Sequence, residues 1–141
     1  MILANSTPNK LEYYLSLYVN LAKKISPYEL AIATLLFKNK HILNHIADKK
    51  YDVALSSLES AYEMALGSIP RNILSARIYW WAGLKSNSID LFMTTLLNPQ
   101  NKHRYPYEEV RMLLRQTEEF ELLKTLDEIL NDLGEPTPWT S

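Results

Sequence analysis

Apolar residues recur at intervals of three or four along almost the whole chain, the spacing that places side chains on one face of an α-helix. No segment alternates β-branched and polar residues as a strand does, and no Asn-Gly or Asp-Gly pair marks a hairpin. The pattern predicts an all-α fold of about seven helices, packed as an irregular bundle of stacked antiparallel helical hairpins. The predicted helices cover residues 7–25, 27 to about 48, 51–66, 71–85, 89–97, 107–116 and 118–130.

Capping residues mark two of the predicted helix starts. Ser26 is the expected N-cap of the second helix, Pro27 suits its first position, and Glu29 is placed to reach back as the acid of a capping box. Thr117 is expected to cap the last helix, where the acids that follow it complement the positive end of the helix dipole. The sequence therefore assigns these acidic residues to exposed helix starts.

The adjacent residues Trp80 and Trp81 point to different sides of their helix, because consecutive helical residues are about 100° apart. The residues expected on a ridge that faces the core are Ile73, Ala76, Tyr79 or Trp80, and Gly83, with the glycine allowing another helix to approach closely. A second line consists of Arg77, Trp81 and Lys85. Trp81 is then either an interface anchor flanked by cations or a cover for a second neighbouring helix.

A faint repeat of 34 residues runs through the chain. The small, large and small residues Ala54, Leu58 and Ala61 return as Ser88, Phe92 and Thr95, and then as Leu122, Leu126 and Ile129. Tyr79 precedes Phe92 by thirteen residues, and Pro99 follows it by seven. On these residues the segment of about 36–133 resembles tetratricopeptide-type repeats, helix–turn–helix units that stack into a superhelix with a concave peptide-binding face. Ser88 and Thr95 replace the alanines of that pattern and the third unit keeps only apolar character, so the departures favour an irregular helical bundle over a true repeat.

The composition is typical of one globular domain. With 141 residues, 47% of them hydrophobic and 22% charged, the chain can form a single core. We expect one domain over residues 1–141 with short flexible ends at 1–7 and 135–141. The chain has no Cys, which excludes a disulfide scaffold and a thiolate nucleophile. Without a signal-peptide core or a long apolar run, a soluble, cytoplasmic protein without membrane association is expected.

One histidine pair has the spacing of metal ligands. His41, His45 and Asp48 stand at i, i+4 and i+7, on the helix side opposite the apolar stripe and beside two lysines. The residues between the two histidines do not form an HExxH motif, and His103, in a predicted loop, has no identifiable nucleophile to activate. We expect this face to be solvated and to hold no metal.

Catalysis and nucleic-acid binding are not indicated elsewhere either. The adjacent acids Glu108/Glu109 and Glu118/Glu119 lack the contrasting environments that a catalytic carboxylate pair needs. Three glycines in the whole chain leave no P-loop or dinucleotide-binding turn, and a pI near 6.3 does not favour nucleic acid. The expectation is a protein that is not an enzyme and carries no cofactor.

Charge is distributed unevenly. Residues 1–106 contain twelve Lys and Arg against seven Asp and Glu, a net charge of +5, whereas residues 107–141 contain three against nine, a net charge of −6. Such a segment is either an ordinary solvated helix surface or a surface that attracts a basic partner protein.

Two binding functions fit these features. The first is a small bacterial immunity or inhibitor protein, which would block the active site of a basic toxin domain with an acidic face. The candidate binding residues on that hypothesis are Tyr105, Tyr107, Glu108, Glu109, Glu118, Glu119, Glu121, Asp127, Glu128 and Asp132. The second is a tetratricopeptide-like chaperone or adaptor, for example of a secretion system, which would hold a partner helix in an apolar groove near Arg77 and Trp81.

Overall fold

The computed structural model describes residues 8–61 and 68–132, and their side chains from 13 to 60 and from 68 to 132. Within these ranges the chain forms eight α-helices and no strand, which confirms the prediction of an all-α fold. The helices are α1 (Pro8–Ile25), α2 (Pro27–Lys38), α3 (Lys40–Ala47), α4 (Tyr51–Ala61), α5 (Ser68–Trp81), α6 (Lys85–Leu96), α7 (Tyr107–Gln116) and α8 (Phe120–Asp132). None of these described helices is both long and apolar enough to cross a membrane. The chain ends predicted to be flexible lie outside the described residues.

The structure has one helix more than predicted because the helix expected to start at residue 27 is divided at Asn39. Asn39 has φ −125° and ψ 63°, outside the helical region. Its backbone N–H and its side-chain Nδ2 both donate to the carbonyl of Leu35, each at 2.9 Å. An asparagine side chain that takes a backbone carbonyl competes with continuation of the helix, so α2 stops there and α3 begins anew.

Consecutive helices pack in pairs: α1 with α2, α3 with α4, α5 with α6, and α7 with α8. Helix α5 also contacts α2 and α4, and α6 contacts α7, so the core lies around the α5–α6 pair. Phe92, Ile73, Leu114 and Leu126 are among its fully buried side chains. Burial of each such side chain contributes about 1.5–3 kcal/mol, which makes this apolar core the main stabilising feature of the fold.

Three helices end with a residue in the left-handed region. Lys49, Gly83 and Glu118, which follow α3, α5 and α7, have φ values of 61°, 84° and 58°. At the end of α5, Gly83 donates to the carbonyl of Trp80 at 3.0 Å, and Leu84 donates to that of Tyr79 at 2.9 Å. This is the Schellman arrangement, and the same two bonds occur after α3 and α7.

These helix ends correct two predictions. Gly83 does not lie on a core-facing ridge, because α5 ends at Trp81 and a Cβ added to Gly83 would meet no atom within 4 Å. Glycine is suited to this position because it adopts a positive φ without steric cost, and not because another helix approaches closely. Thr117 is the C-cap of α7 and not the N-cap of the last helix, since its hydroxyl donates to the carbonyl of Leu113 at 3.0 Å. The first backbone bond of α8 runs from Leu123 to Glu119.

The first two copies of the 34-residue pattern are buried where the structure describes their side chains, whereas the third is not: Leu126 is buried, Leu122 is half-buried and Ile129 is 36% exposed. Ala54, Leu58, Ser88, Phe92 and Thr95 are all buried, while the side chain at position 61 lies outside the described residues. The Ser88 hydroxyl donates to the carbonyl of Ala76 at 2.6 Å, which links α6 to α5. A serine therefore fits where the repeat pattern has alanine, because its buried hydroxyl has a partner.

The loop between α6 and α7, residues 97–106, is fixed by internal hydrogen bonds. The buried Asn101 donates through Nδ2 to the carbonyl of Thr95 at 3.1 Å and to that of Tyr105 at 2.9 Å. Arg104 donates to the carbonyls of Leu96 and Asn98 at 3.0 and 3.1 Å. These bonds hold the loop against the end of α6 and place Tyr105 beside α2.

Candidate functional site

A polar cluster lies between α2, α5 and α7, where Arg77 bridges two carboxylates. Its guanidinium donates to Glu29 through Nη1 and Nη2 at 2.9 and 2.7 Å. The same group donates to Glu109 through Nε at 3.0 Å and Nη2 at 2.8 Å. The side chains of Glu29 and Arg77 are only 6% and 14% exposed, whereas that of Glu109 is 32% exposed. One edge of the planar guanidinium therefore donates to Glu29 and the other edge donates to Glu109.

Two tyrosine hydroxyls complete the coordination of Glu29. Tyr18 of α1 donates to Oε2, and Tyr105 of the 97–106 loop donates to Oε1 at 2.7 Å. We call the five residues Tyr18, Glu29, Arg77, Tyr105 and Glu109 the Glu29 cluster. They come from four helices and one loop, so the cluster connects segments that are distant in sequence.

The cluster strongly favours an ionised Glu29. Burial alone would raise the pKa of its carboxyl, but the hydrogen bonds and positive charge of Arg77 and the two tyrosine hydroxyls outweigh burial and lower the pKa to about 2. Burial and the bond to Glu29 raise the pKa of the Tyr18 and Tyr105 hydroxyls above the usual tyrosine range. Burial opposes the charge on Arg77, yet its two carboxylate partners raise its pKa. All of these groups hold one protonation state near neutral pH.

The geometry corrects two predictions and indicates a structural role. Glu29 is not the acid of a capping box, although Ser26 does cap α2 by accepting from the N–H of Tyr28 at 3.1 Å. Arg77 does not lie on an exposed line with Trp81, because its side chain points inward to Glu29. Glu29 remains ionised near neutral pH and is therefore poorly suited to proton transfer. Arg77 already donates to carboxylates on both edges, so it is poorly suited to binding another anion. The Glu29 cluster instead cross-links the fold.

A second polar cluster joins α7 to α8. Arg111 donates to Asp127 through Nε at 3.2 Å and Nη2 at 3.0 Å, and the Tyr107 hydroxyl also donates to Asp127. Tyr107 and Arg111 are buried, each 8% exposed. We call these three residues the Asp127 cluster. Two predicted binding residues, Tyr107 and Asp127, are therefore used inside the hairpin.

The other predicted acids lie at the surface of the α7–α8 hairpin. We call the exposed ones the acidic surface; they are Glu108, Glu118, Glu119, Glu121, Glu128 and Asp132. Of the predicted binding set, Glu109, Tyr105, Tyr107 and Asp127 are held in the two polar clusters. The only cations exposed on the same hairpin in the described structure are Arg115 and Lys124.

Exposed apolar side chains accompany the acidic surface. Met112 of α7 and Phe120 and Ile129 of α8 are all exposed large hydrophobic residues. On α8, Glu121, Glu128 and Asp132 lie on the side opposite the buried leucines of that helix. Exposed apolar area and exposed acids therefore lie on the same hairpin.

The side chains of the two adjacent tryptophans lie on different sides of α5, as predicted. Trp80 packs partly against the core, whereas Trp81 is 48% exposed at the end of α5. Lys85 places Nζ 5.3 Å from the ring centroid of Trp80, so the cation lies over the inner tryptophan instead of flanking Trp81. Leu84, in the turn that follows α5, is also exposed. The exposed apolar surface here is Trp81 with Leu84.

The histidine face on α3 shows no metal geometry. His41 and His45 are edge-to-face neighbours with ring centroids 6.3 Å apart. Within the described residues, no group of three or more His, Cys, Asp or Glu side chains is arranged to hold a metal ion. Open depressions lie beside His41 between α3 and α4, and beside Tyr79 between α5 and α6.

Comparison with known proteins gives no further assignment. No family model matches the chain, and searches of curated proteins and of solved structures found no match.

Proposed function

We propose that this protein is a non-catalytic binding protein that uses its acidic surface to mask a basic partner protein. The class that fits best is a small bacterial immunity or inhibitor protein. Its carboxylates would occupy the positions at which a basic toxin domain binds phosphate, and thereby occlude the toxin's active site. The observation that carries the proposal is the set of six exposed acids on one helical hairpin, opposed there by two exposed cations.

The charge distribution supports a long-range attraction. Exposed charges in the α7–α8 hairpin are predominantly negative because Arg111, one of its three cations, is paired with Asp127 inside the fold, which leaves six exposed acids against Arg115 and Lys124. An extended surface of one sign accelerates encounter with a partner of opposite sign. The excess of exposed acids over exposed cations on this hairpin is therefore available to attract a basic partner.

Shape and rigidity support the same surface. Met112 and Phe120 supply apolar contact area, which charged residues alone do not provide. The Asp127 cluster ties α7 to α8 through three hydrogen bonds. A surface whose two helices are already fixed loses little conformational freedom when it binds.

The exposed pair of Trp81 and Leu84 favours a second candidate function. A chaperone or adaptor with tetratricopeptide-like helices would bind an amphipathic partner helix through such an apolar surface. This binding would depend on apolar burial instead of charge, so added salt would change its association rate little.

The experiment that tests the first proposal is affinity capture from an extract of the native host. The variant Glu121→Lys/Glu128→Lys/Asp132→Lys reverses three charges of the acidic surface without touching either polar cluster. We expect the wild-type chain to capture a basic protein that this variant loses, with the captured protein identified by mass spectrometry. Circular dichroism must show that the variant keeps its helicity.

The matched control is Asp52→Lys/Glu59→Lys/Asp90→Lys, which makes the same change in net charge at exposed acids of α4 and α6. This control should capture the same basic protein as the wild type. Equal capture by the acidic-surface variant would contradict the proposal. Loss with Trp81→Ala/Leu84→Ser, but not with the acidic-surface variant, would favour the chaperone or adaptor function.

A further inference from the structure

Helix α1 carries a continuous row of exposed apolar side chains. Tyr14, Leu17, Leu21 and Ile25 are 48%, 41%, 58% and 60% exposed. Tyr13, in edge-to-face contact with Tyr14, is 61% exposed. Five of the exposed large hydrophobic residues of the described structure therefore lie on one helix, which packs chiefly against α2.

The row lies beside the face that α1 already buries. At 100° per residue, Tyr14, Leu17, Leu21 and Ile25 fall within an arc of about 80°, adjacent to the arc that holds the buried Leu15 and Ala22. The exposed polar residues Ser16, Asn20 and Lys23 occupy the remaining side. A helix with two adjoining apolar faces is suited to contact two neighbours. Helix α2 is one of them.

We propose that the second neighbour is α1 of another copy of this chain, so that the protein forms a two-fold dimer through this face. The row advances by three, four and four residues, the spacing at which two helices interlock their side chains along a seam. One patch serves both partners in a two-fold dimer, which suits a face made of leucine, isoleucine and tyrosine.

The available area fits a specific dimer. The exposed parts of the five side chains on two copies would together bury on the order of 1,000 Å². Specific interfaces generally bury more than about 1,000 Å² in total, and the polar residues beside the row would add to that area. The apolar row and its polar neighbours thus reach the lower end of the area range of specific interfaces.

Charge indicates the relative direction of the two helices. Lys23 and Lys24, both exposed, lie in the last turn of α1. A parallel pair would bring the two lysine pairs together, whereas an antiparallel pair separates them and places Ile25 of one copy beside Tyr14 of the other. The antiparallel arrangement avoids this like-charge repulsion.

Sedimentation velocity tests the dimer directly. Over a range from about 1 to about 200 μM, we expect the wild-type chain to pass from monomer to dimer, and Leu17→Glu/Leu21→Glu to remain monomeric. The control Met112→Glu/Phe120→Glu, on the other hairpin, should dimerise like the wild type. A wild-type chain that remains monomeric at every concentration would overturn the proposal. The proposal would also be overturned if this monomer floated with phosphatidylcholine–phosphatidylserine vesicles, because the apolar row would then contact a membrane and not a second copy.

Cross-linking provides a second measurement that does not require the glutamate variants to fold. Because the chain has no Cys, single-cysteine variants carry the only thiol. An oxidised mixture of Tyr14→Cys and Ile25→Cys should give a disulfide-linked heterodimer more rapidly than either variant alone. Val53→Cys, exposed on α4, is the control that should remain monomeric. Equal cross-linking of the control would contradict a specific α1 interface.

Discussion

Glu29 and Arg77 are 48 residues apart in the sequence and meet through two hydrogen bonds of 2.7 and 2.9 Å. This pair joins α2 to α5, and Glu109 extends it to α7. The Tyr18 and Tyr105 hydroxyls donate to the two oxygens of Glu29, so each oxygen of the buried carboxylate accepts from a tyrosine as well as from Arg77. The pair holds together the core helices on which the exposed surfaces are built.

Loss of Arg77 should destabilise the protein strongly. Arg77→Met leaves Glu29 buried without its cation, and we expect the free energy of unfolding to fall by about 3–5 kcal/mol. The control Arg115→Met, at an exposed arginine of α7, should change it by less than about 0.5 kcal/mol. Urea unfolding followed by circular dichroism measures both. Similar small losses in the two variants would show that the Glu29 cluster contributes little to stability.

The lowered pKa of Glu29 predicts a loss of stability in acid. Its carboxyl has a pKa of about 2 in the folded chain, against an ordinary value of 4.5. The stabilisation by the ionised form is therefore complete above about pH 5 and is lost as the pH falls towards 2, by about 3 kcal/mol in all. Urea unfolding at a series of pH values should show this dependence in the wild type and a weaker one in Glu29→Gln. Parallel pH profiles for the two proteins would contradict this assignment.

The left-handed helix ends predict substitutions that stabilise the chain. Lys49→Gly and Glu118→Gly should each raise the free energy of unfolding by about 0.5–1 kcal/mol, because glycine adopts a positive φ without steric cost. Gly83→Ala should lower it by a similar amount. Thermal unfolding measures the three shifts. The control Ser16→Gly, in the interior of α1, should lower the free energy of unfolding by up to about 1 kcal/mol. This opposite sign would show that glycine stabilises only where the backbone has a positive φ.

The adjacent tryptophans should differ in their effect on folding. Trp80→Ala removes a side chain that packs against the core and should lower the free energy of unfolding by about 2–3 kcal/mol. Trp81→Ala, at the exposed position, should lower it by less than about 1 kcal/mol. Chemical unfolding of both variants tests this difference. A larger loss for Trp81 would mean that its ring is the one that supports the core.

The helical pattern was predictable because it depends on spacing within single segments. Ser26 and Pro27 marked the start of α2, and Ile32 and Leu35 of the apolar stripe are buried as that stripe requires. The helix break at Asn39 was missed, since it depends on which backbone carbonyl one side chain takes. The left-handed residues Lys49 and Glu118 were missed because nothing in their residue type indicates a positive φ.

The polar clusters were missed because their partners are distant in sequence. A charge count along the chain treats Glu108 and Glu109 alike, although one is exposed and the other pairs with Arg77. The sequence did contain a signal for these clusters, namely an arginine within an apolar helical stripe. Arg77 follows the buried Ile73 by four residues, and Arg111 follows the buried Tyr107 by four residues. A charged residue on such a stripe requires a buried counter-charge, which would have indicated the two clusters.

The salt dependence of association tests the central claim most directly, using the basic protein captured by the wild-type chain. If the acidic surface makes the contact, raising the salt from about 0.05 to about 0.5 M should slow the association rate at least tenfold, while dissociation changes little. The wild type and the Asp52/Glu59/Asp90 control should share this dependence, and the Glu121/Glu128/Asp132 variant should lose most of it. An association rate that is independent of salt, or equally dependent in all three proteins, would contradict the proposed role of the acidic surface.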